Sequence, residues 1–124
     1  MTRRVFDKTY APAGSIRLQD LAVEPDRADM VRCTAHVTVA QRTVSLEATA
    51  SGTIAAMTSM LYDLGAGVEI VSLYQQPDDA DVGTYLLCES GGQRCWSYGR
   101  GDTGDESVVN ALIAGANQLA RPGI

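Results

Sequence analysis

Thr49-Ala50-Ser51-Gly52-Thr53-Ile54-Ala55-Ala56-Met57-Thr58-Ser59-Met60-Leu61-Tyr62-Asp63-Leu64-Gly65 joins the end of an alternating strand to a helix. The chain turns at Ser51-Gly52-Thr53. Apolar residues then return at helical spacing, at Ile54, Met57, Leu61 and Leu64 with Met60 beside them, until Gly65 ends the run. A strand delivered straight into a helix leaves several first-turn N–H groups unpaired. Such groups hold a carboxylate or phosphate in some proteins, and meet only water or a capping side chain in most. Local chemistry alone reads this corner as a cap.

Just upstream, Val31, Cys33, Ala35, Val37 and Val39 alternate with Arg32, Thr34, His36 and Thr38. After a turn at Ala40-Gln41, Val44, Leu46, Ala48 and Ala50 alternate with Thr43, Ser45, Glu47 and Thr49. A period of two predicts a half-buried antiparallel hairpin. Pairing Val39 with Arg42 sets Val37 against Val44, Ala35 against Leu46 and Cys33 against Ala48. All the apolar residues then share one face, which a slip of one residue would destroy. Before the hairpin, Ser15 to Val23 carries apolar residues at Ile16, Leu18 and Leu21, a phase that predicts a first strand with a slip or bulge. Glu24 to Asp29 reads as a charged turn around Pro25.

A second round follows Gly65-Ala66-Gly67. Val68 to Gln76 is strand-like, Pro77 to Asp81 reads as an acidic turn, and Val82–Glu89 and Gln93–Gly99 form a hairpin about Gly91-Gly92. Tyr85, Leu87, Trp96 and Tyr98 fall on one face of it, and Leu86, Cys88, Cys95 and Ser97 on the other. A glycine-rich connection, Gly99 to Gly104, leads to a helix over 105–119 with a stripe of Val108, Ala111, Leu112 and Ala116, Val109 and Ile113 flanking, and Pro122 just beyond. The expected fold is therefore α+β, strand–hairpin–helix repeated: an arm at 1–14, then a single domain at 15–124 made of units 15–66 and 67–124. Two tandem βββα units would set two glycine-bearing corners facing one another across a pseudo-two-fold axis. A cleft rimmed by two helix N-termini and lined with small residues suits a small amino or keto acid.

At 124 residues, with 45% apolar and 20% charged residues, the chain is one globular domain's worth. The net charge of −5 argues against a nucleic-acid backbone or an anionic membrane as partner. No apolar run approaches the ~18 residues of a membrane span. The segment Met1 to Gly14 has arginines but no apolar core of a secretory signal, so a cytoplasmic chain is expected. Three cysteines then read as free thiols. Cys88 and Cys95 come opposite one another in the hairpin, either as small apolar fillers or as a redox pair or metal half-site. Metal partners are missing: His36 is the only histidine and no Cys-x-x-Cys or His-x-x-x-His spacing occurs. His36 sits mid-strand on the polar face with no orienting carboxylate evident, so no nucleophile–base pair emerges. Neither a Walker loop nor a dinucleotide fingerprint is present. The acidic residues at Asp78, Asp79, Asp81, Asp102, Asp105 and Glu106 read as turn and helix-start chemistry.

Ala50-Ser51-Gly52-Thr53-Ile54-Ala55-Ala56 matches a family signature Gly-Asn-Gly-Pro-Ile/Leu-Asp/Ala-Ala. Trp96-Ser97-Tyr98-Gly99, followed by Ser107, Val108, Ala111, Gly115 and Asn117, matches a second one, Trp-Gly-Val-Gly ahead of a small-residue helix ending in Asn. Val5-Phe6-Asp7-Lys8-Thr9-Tyr10 is similar to the segment leading into the same domain. In these stretches, and over nearly its whole length, the chain resembles the C-terminal regulatory (allosteric, dimerisation) domain of 2-isopropylmalate synthase, which is related to that of citramalate synthase. The resemblance implies two βββα units, a homodimer, and feedback control of leucine biosynthesis through leucine or a related branched-chain amino acid. It implies an effector site at Ser51, Gly52, Thr53, Ile54, Ala55, Tyr98, Gly99 and Gly101. The effector's carboxylate would meet the N–H groups of Gly52 to Ile54, and its aliphatic tail Ala55 and Ala56. Ser51 stands where the family has Asn, Thr53 where it has Pro, and Tyr98 where it has Val. The synthase's catalytic barrel, which needs ~250 residues, is absent, so the chain is expected to be no enzyme and to need no metal or cofactor. The alternative expectation is a dimerisation or interaction protein that has lost the ligand and acts on a separately encoded 2-isopropylmalate synthase chain. A small enzyme of new type ranks last.

Overall fold

The structure, a computed structural model, describes residues 4–6 and 16–119. Its strands are β1 (Arg4–Phe6), β2 (Ile16–Pro25), β3 (Val31–Val39), β4 (Arg42–Ala50), β5 (Glu69–Asp78), β6 (Asp81–Ser90) and β7 (Gln93–Gly101). Helix α1 (Thr53–Asp63) follows β4, and α2 (Gly104–Leu119) follows β7. The class is α+β. One antiparallel sheet has the order β1-β2-β3-β4 and the other β5-β6-β7. Strand–hairpin–helix thus occurs twice, and β1 adds a short edge strand from within the segment read as an arm. Asp7 to Gly14 and Pro122 lie outside the described residues.

The β3–β4 hairpin has the register that alternation dictates: Val39 pairs with Arg42, Val37 with Val44, Ala35 with Leu46 and Cys33 with Ala48. Its two-residue turn places Ala40 and Gln41 at φ 51° and 71°, and Gly91-Gly92 does the same for β6–β7 at 58° and 81°. Positive φ at both positions matches the right-handed twist of the flanking strands. The irregular phase of β2 has a structural cause. Its pairing with β3 shifts between Leu18 and Asp20, and that bulge lets Ile16, Leu18, Leu21 and Val23 all reach the core.

Three expectations need correction. Glu24-Pro25 is not turn but the end of β2, paired as Glu24–Arg32 and Pro25–Val31, and the chain turns only over Asp26 to Met30. Pro77-Asp78 and Asp81 are not turn but strand, paired as Pro77–Val82 and Asp78–Asp81, which leaves only Asp79-Ala80 to turn the chain. Likewise, Gly99 to Gly101 is not connection but the end of β7, paired with Val82 to Thr84. Strand pairing satisfies the backbone of these stretches, which a loop reading leaves to water.

Helix α2 is the centre of the molecule. Every residue from Ser107 to Ile113 is buried, all the way round the helix. It packs on β6 and β7 and also touches β2 and α1, while α1 packs on β3 and β4. Buried side chains from both units, among them Ile16, Leu21, Met57 and Leu61 with Leu86, Leu112 and Ile113, form one hydrophobic cluster. Asn117 bridges the units in a second way. Its side chain accepts from Ile16 N and donates to Ile16 O, both at 2.9 Å, so it caps the first residue of β2 as a neighbouring strand would.

The outward faces of the two sheets differ. Over β2–β4 it carries Arg32, Thr34, His36, Ser45 and Glu47, with Arg32 2.9 Å from Glu24. Over β5–β7 it carries a row Tyr74–Tyr85–Tyr98 beside a row Ser72–Leu87–Trp96. Among the described residues, these aromatics stay 39–60% exposed.

Candidate functional site

Chain direction brings the two strand-to-helix corners together. At the first, Gly52 is extended (φ −169°, ψ 172°) and its carbonyl accepts from Ala56 N at 3.1 Å, which starts α1. No side chain caps this end, and the first turn of α1 holds no acidic residue. Its dipole and N–H groups therefore want a negative partner from elsewhere. The second corner supplies one. Buried Thr53 donates from Oγ1 to Asp105 Oδ2 in the first turn of α2, at 3.3 Å. The helix N-termini thus meet, and a carboxylate of the chain itself stands where they meet.

The start of α2 is closed by its own sequence. Glu106 N donates to Thr103 Oγ1 at 3.1 Å, and Glu106 Oε1 accepts from Asp102 N at 2.7 Å, a capping-box arrangement. Beneath it lies a polar cluster. Thr84 Oγ1 and Ser107 Oγ are 2.6 Å apart, and Gln75 donates to Thr84 at 3.1 Å and to the Gly104 carbonyl at 3.0 Å. Ser97 donates to the Ala111 carbonyl at 2.8 Å, and Asn110 to the Arg100 carbonyl at 2.8 Å. These bonds hold α2 close against β6 and β7.

The residues expected in one site divide into three groups. Gly52, Thr53 and Ile54 are at the meeting of the helix ends, with Ser51 and Ala55 exposed on its outer side. Gly99 and Gly101 serve the packing of α2. A side chain on Gly99 would run into the backbone of Ala111 and Ser107, and one on Gly101 would come within 2.7 Å of Glu106 and Ser107 N. Tyr98 is elsewhere. It lies on the outer face of β7, away from α2, with its ring 4.7 Å from that of Tyr85. Strand alternation is the reason: Ser97 and Gly99 face the helix, so Tyr98 between them cannot. Asp105, the residue that meets Thr53, carries no local signal beyond being an acid in a first helical turn.

A cleft of about 240 Å³ opens at the other end of α1, lined by Tyr62, Gly67, Glu69, Glu89, Ser90, Gly91 and Gly92. That is below the ~300–1,000 Å³ of a typical small-molecule site.

His36 does have an orienting carboxylate, contrary to expectation. Its Nδ1 is 2.6 Å from Asp20 Oδ1, because the β2 bulge sets Asp20 opposite His36. Ser45 completes the row on β4. The row lacks the rest of an acyl-transfer site. His36 and Asp20 stand on a solvent-exposed face, so the row has no water-excluded pocket of the kind that stabilises an acyl-transfer intermediate.

Cys88 and Cys95 are opposite one another across the hairpin without a disulfide, and Cys33 is a third thiol, buried in the core and likewise outside any disulfide. Burial pushes both hairpin thiols up; for Cys88 a hydrogen bond with Ser97, 3.7 Å away, opposes this only in part. A raised thiol is a poor nucleophile and a poor metal ligand near neutral pH, which favours the filler reading. Among the described residues, no three of the His, Cys, Asp and Glu side chains are grouped as a metal site needs. No helix there is long and apolar enough to cross a membrane. No protein-family model matches the chain, and no curated protein matches it either.

Proposed function

We propose that this chain is a non-catalytic regulatory domain of the kind found in 2-isopropylmalate synthase, working as a homodimer and taking leucine or a related branched-chain amino acid at the N-terminus of α1. The observation that carries the reading is the meeting of the two helix N-termini through Thr53 and Asp105. A strand–hairpin–helix unit repeated once, with both helices starting at the same place, supports a site that senses a small charged ligand and passes the change to both units. The amino acid's carboxylate would exchange with that of Asp105 at α1, and its ammonium group would be met by the displaced carboxylate. Calorimetry with leucine, isoleucine and valine tests this. Saturable heat with one of them, lost in Thr53→Val, is the expected result; no heat with any overturns it.

The same Asp105 favours a second reading. A carboxylate supplied by the chain makes an effector's carboxylate redundant, which fits an interaction protein that kept the fold, lost the ligand and binds a separate synthase. Affinity capture from the native host recovers a 2-isopropylmalate synthase chain if this reading holds, and none if it does not.

A further inference from the structure

We infer that the outer face of β5–β7 is where a second copy of this chain docks, about a two-fold axis running parallel to β6; this deepens the homodimer of the proposed function by giving it a surface. The single tryptophan and three of the five tyrosines stand on this face, with Tyr74 60%, Trp96 52%, Tyr85 45% and Tyr98 39% exposed. A tyrosine or tryptophan buries ~150–250 Å² when covered. Four of them half exposed leave on the order of 400 Å² of aromatic surface, as much as the largest patch on an ordinary monomer. The rings are held ready. Tyr74 and Trp96 pack at 5.9 Å across β6, and Tyr85 and Tyr98 at 4.7 Å, with Tyr98 lying over Gly83, where a side chain would collide with its hydroxyl.

The register of the sheet identifies the occupant. A two-fold axis along β6 exchanges β5 with β7 and leaves β6 facing itself. Ser72 pairs with Leu87 and Leu87 with Trp96 in one row, so the axis lays the large Trp96 of each copy over the small Ser72 of the other. In the neighbouring row it lays Tyr74 over Tyr98. In the row of Glu69, Glu89 and Arg94 it brings each Glu69 to an Arg94 across the interface, while Glu89 meets its own copy with Arg94 3.6 Å away in each protomer. Knob meets hole, ring meets ring and charge meets opposite charge, which an arbitrary partner has no reason to reproduce. The sheet is nine to ten residues long and three strands wide, about 30 by 14 Å. With the relief of its side chains this offers on the order of the 800 Å² per partner that stable complexes bury. Two such sheets stacked face to face make a sandwich of ordinary geometry.

Sedimentation velocity and the emission of Trp96, the one tryptophan, read the same event. The wild-type chain is expected to be a dimer whose tryptophan emission shifts to the red on dilution. Trp96→Ala should weaken dimerisation at least about 30-fold, the size of a hot-spot loss. Glu69→Arg and Arg94→Glu should each weaken it about 10-fold, and the two together should restore it to within a few-fold; circular dichroism checks that each variant is folded. A monomeric wild type overturns both the homodimer and this surface. A wild-type dimer that Trp96→Ala leaves intact, with no emission change on dilution, overturns the surface alone and moves the dimer to another face. Single charge variants that weaken without mutual rescue overturn the two-fold register.

Discussion

Gly52 and Gly99 both flank a strand-to-helix connection, yet a methyl group meets opposite surroundings at each. At Gly52 nothing lies within 4 Å and the backbone is extended, a conformation open to any residue. At Gly99 the methyl would enter the backbone of α2 at Ala111 and Ser107. Gly52→Ala is therefore expected to cost less than about 1 kcal/mol, the difference between these residues at a helix cap. Gly99→Ala should cost about 3 kcal/mol or more, because backbone cannot step aside as a side chain does. Urea unfolding of the two variants measures the contrast, and equal effects would refute the packing role of Gly99. Cys88 gives a prediction in pH. Its buried thiol holds its proton above the ordinary value, so the folded chain binds that proton more tightly than the unfolded one. Stability is then full below about pH 8.5, the free-thiol value, and falls as pH rises through the higher folded value. Cys88→Ala should flatten that fall in thermal melts from pH 7 to 10; an unchanged slope would assign the loss to other groups.

At the scale of elements, α2 owes its place to polar contacts as much as to apolar ones. Ser97, Thr84, Ser107, Gln75 and Asn110 bond it to the second sheet, while Asn117 reaches the first. Asn117→Ala removes both bonds to Ile16 and leaves a half-buried N–H and carbonyl at the start of β2. The expected loss is about 1–3 kcal/mol. Hydrogen exchange at the Ile16 amide should quicken more than at amides of β6, which no global loss of stability would produce. Little of this polar cluster was legible beforehand. The pattern of apolar residues marks which side of α2 is buried in an isolated pair of elements, but a helix enclosed by two sheets buries Ser107 and Asn110 as well.

On the scale of the whole molecule, the two units share one core. Leu112 and Ile113 of α2 belong to the same cluster as Ile16 and Leu21 of β2 and Met57 and Leu61 of α1. Neither unit buries its apolar face alone, so the chain is expected to unfold in one transition. Trp96 emission reports on the second sheet and far-ultraviolet circular dichroism on all elements; their denaturation curves should coincide. Two separated transitions would mean that the units are independent. The outer face of β5–β7 also belongs to this scale. Alternation put Tyr85, Leu87, Trp96 and Tyr98 on one face, and only the stacking of α2 against the opposite side showed that face to be outward and uncovered.

Local pattern was enough to place α1, α2 and, apart from their ends, the strands β2 to β7, with most of the hairpin pairing, while β1 escaped it. Periods of two and 3.6 are local, and a slipped register at Val37–Val44 would turn a whole strand inside out. Even the β2 bulge was visible as a break of phase between Leu18 and Leu21. Tertiary structure alone decided which distant residues meet. Thr53 and Asp105 are 52 positions apart, and Asp20 and His36 are 16 apart. Neither pair has a spacing that any single helix or strand dictates. Their contacts exist because layers stack in one relative orientation, fixed by close-packed side chains and glycines from every element at once. That stacking made Gly99 a packing residue, sent Tyr98 to the far face, and set an acid of the second unit against the helix end of the first.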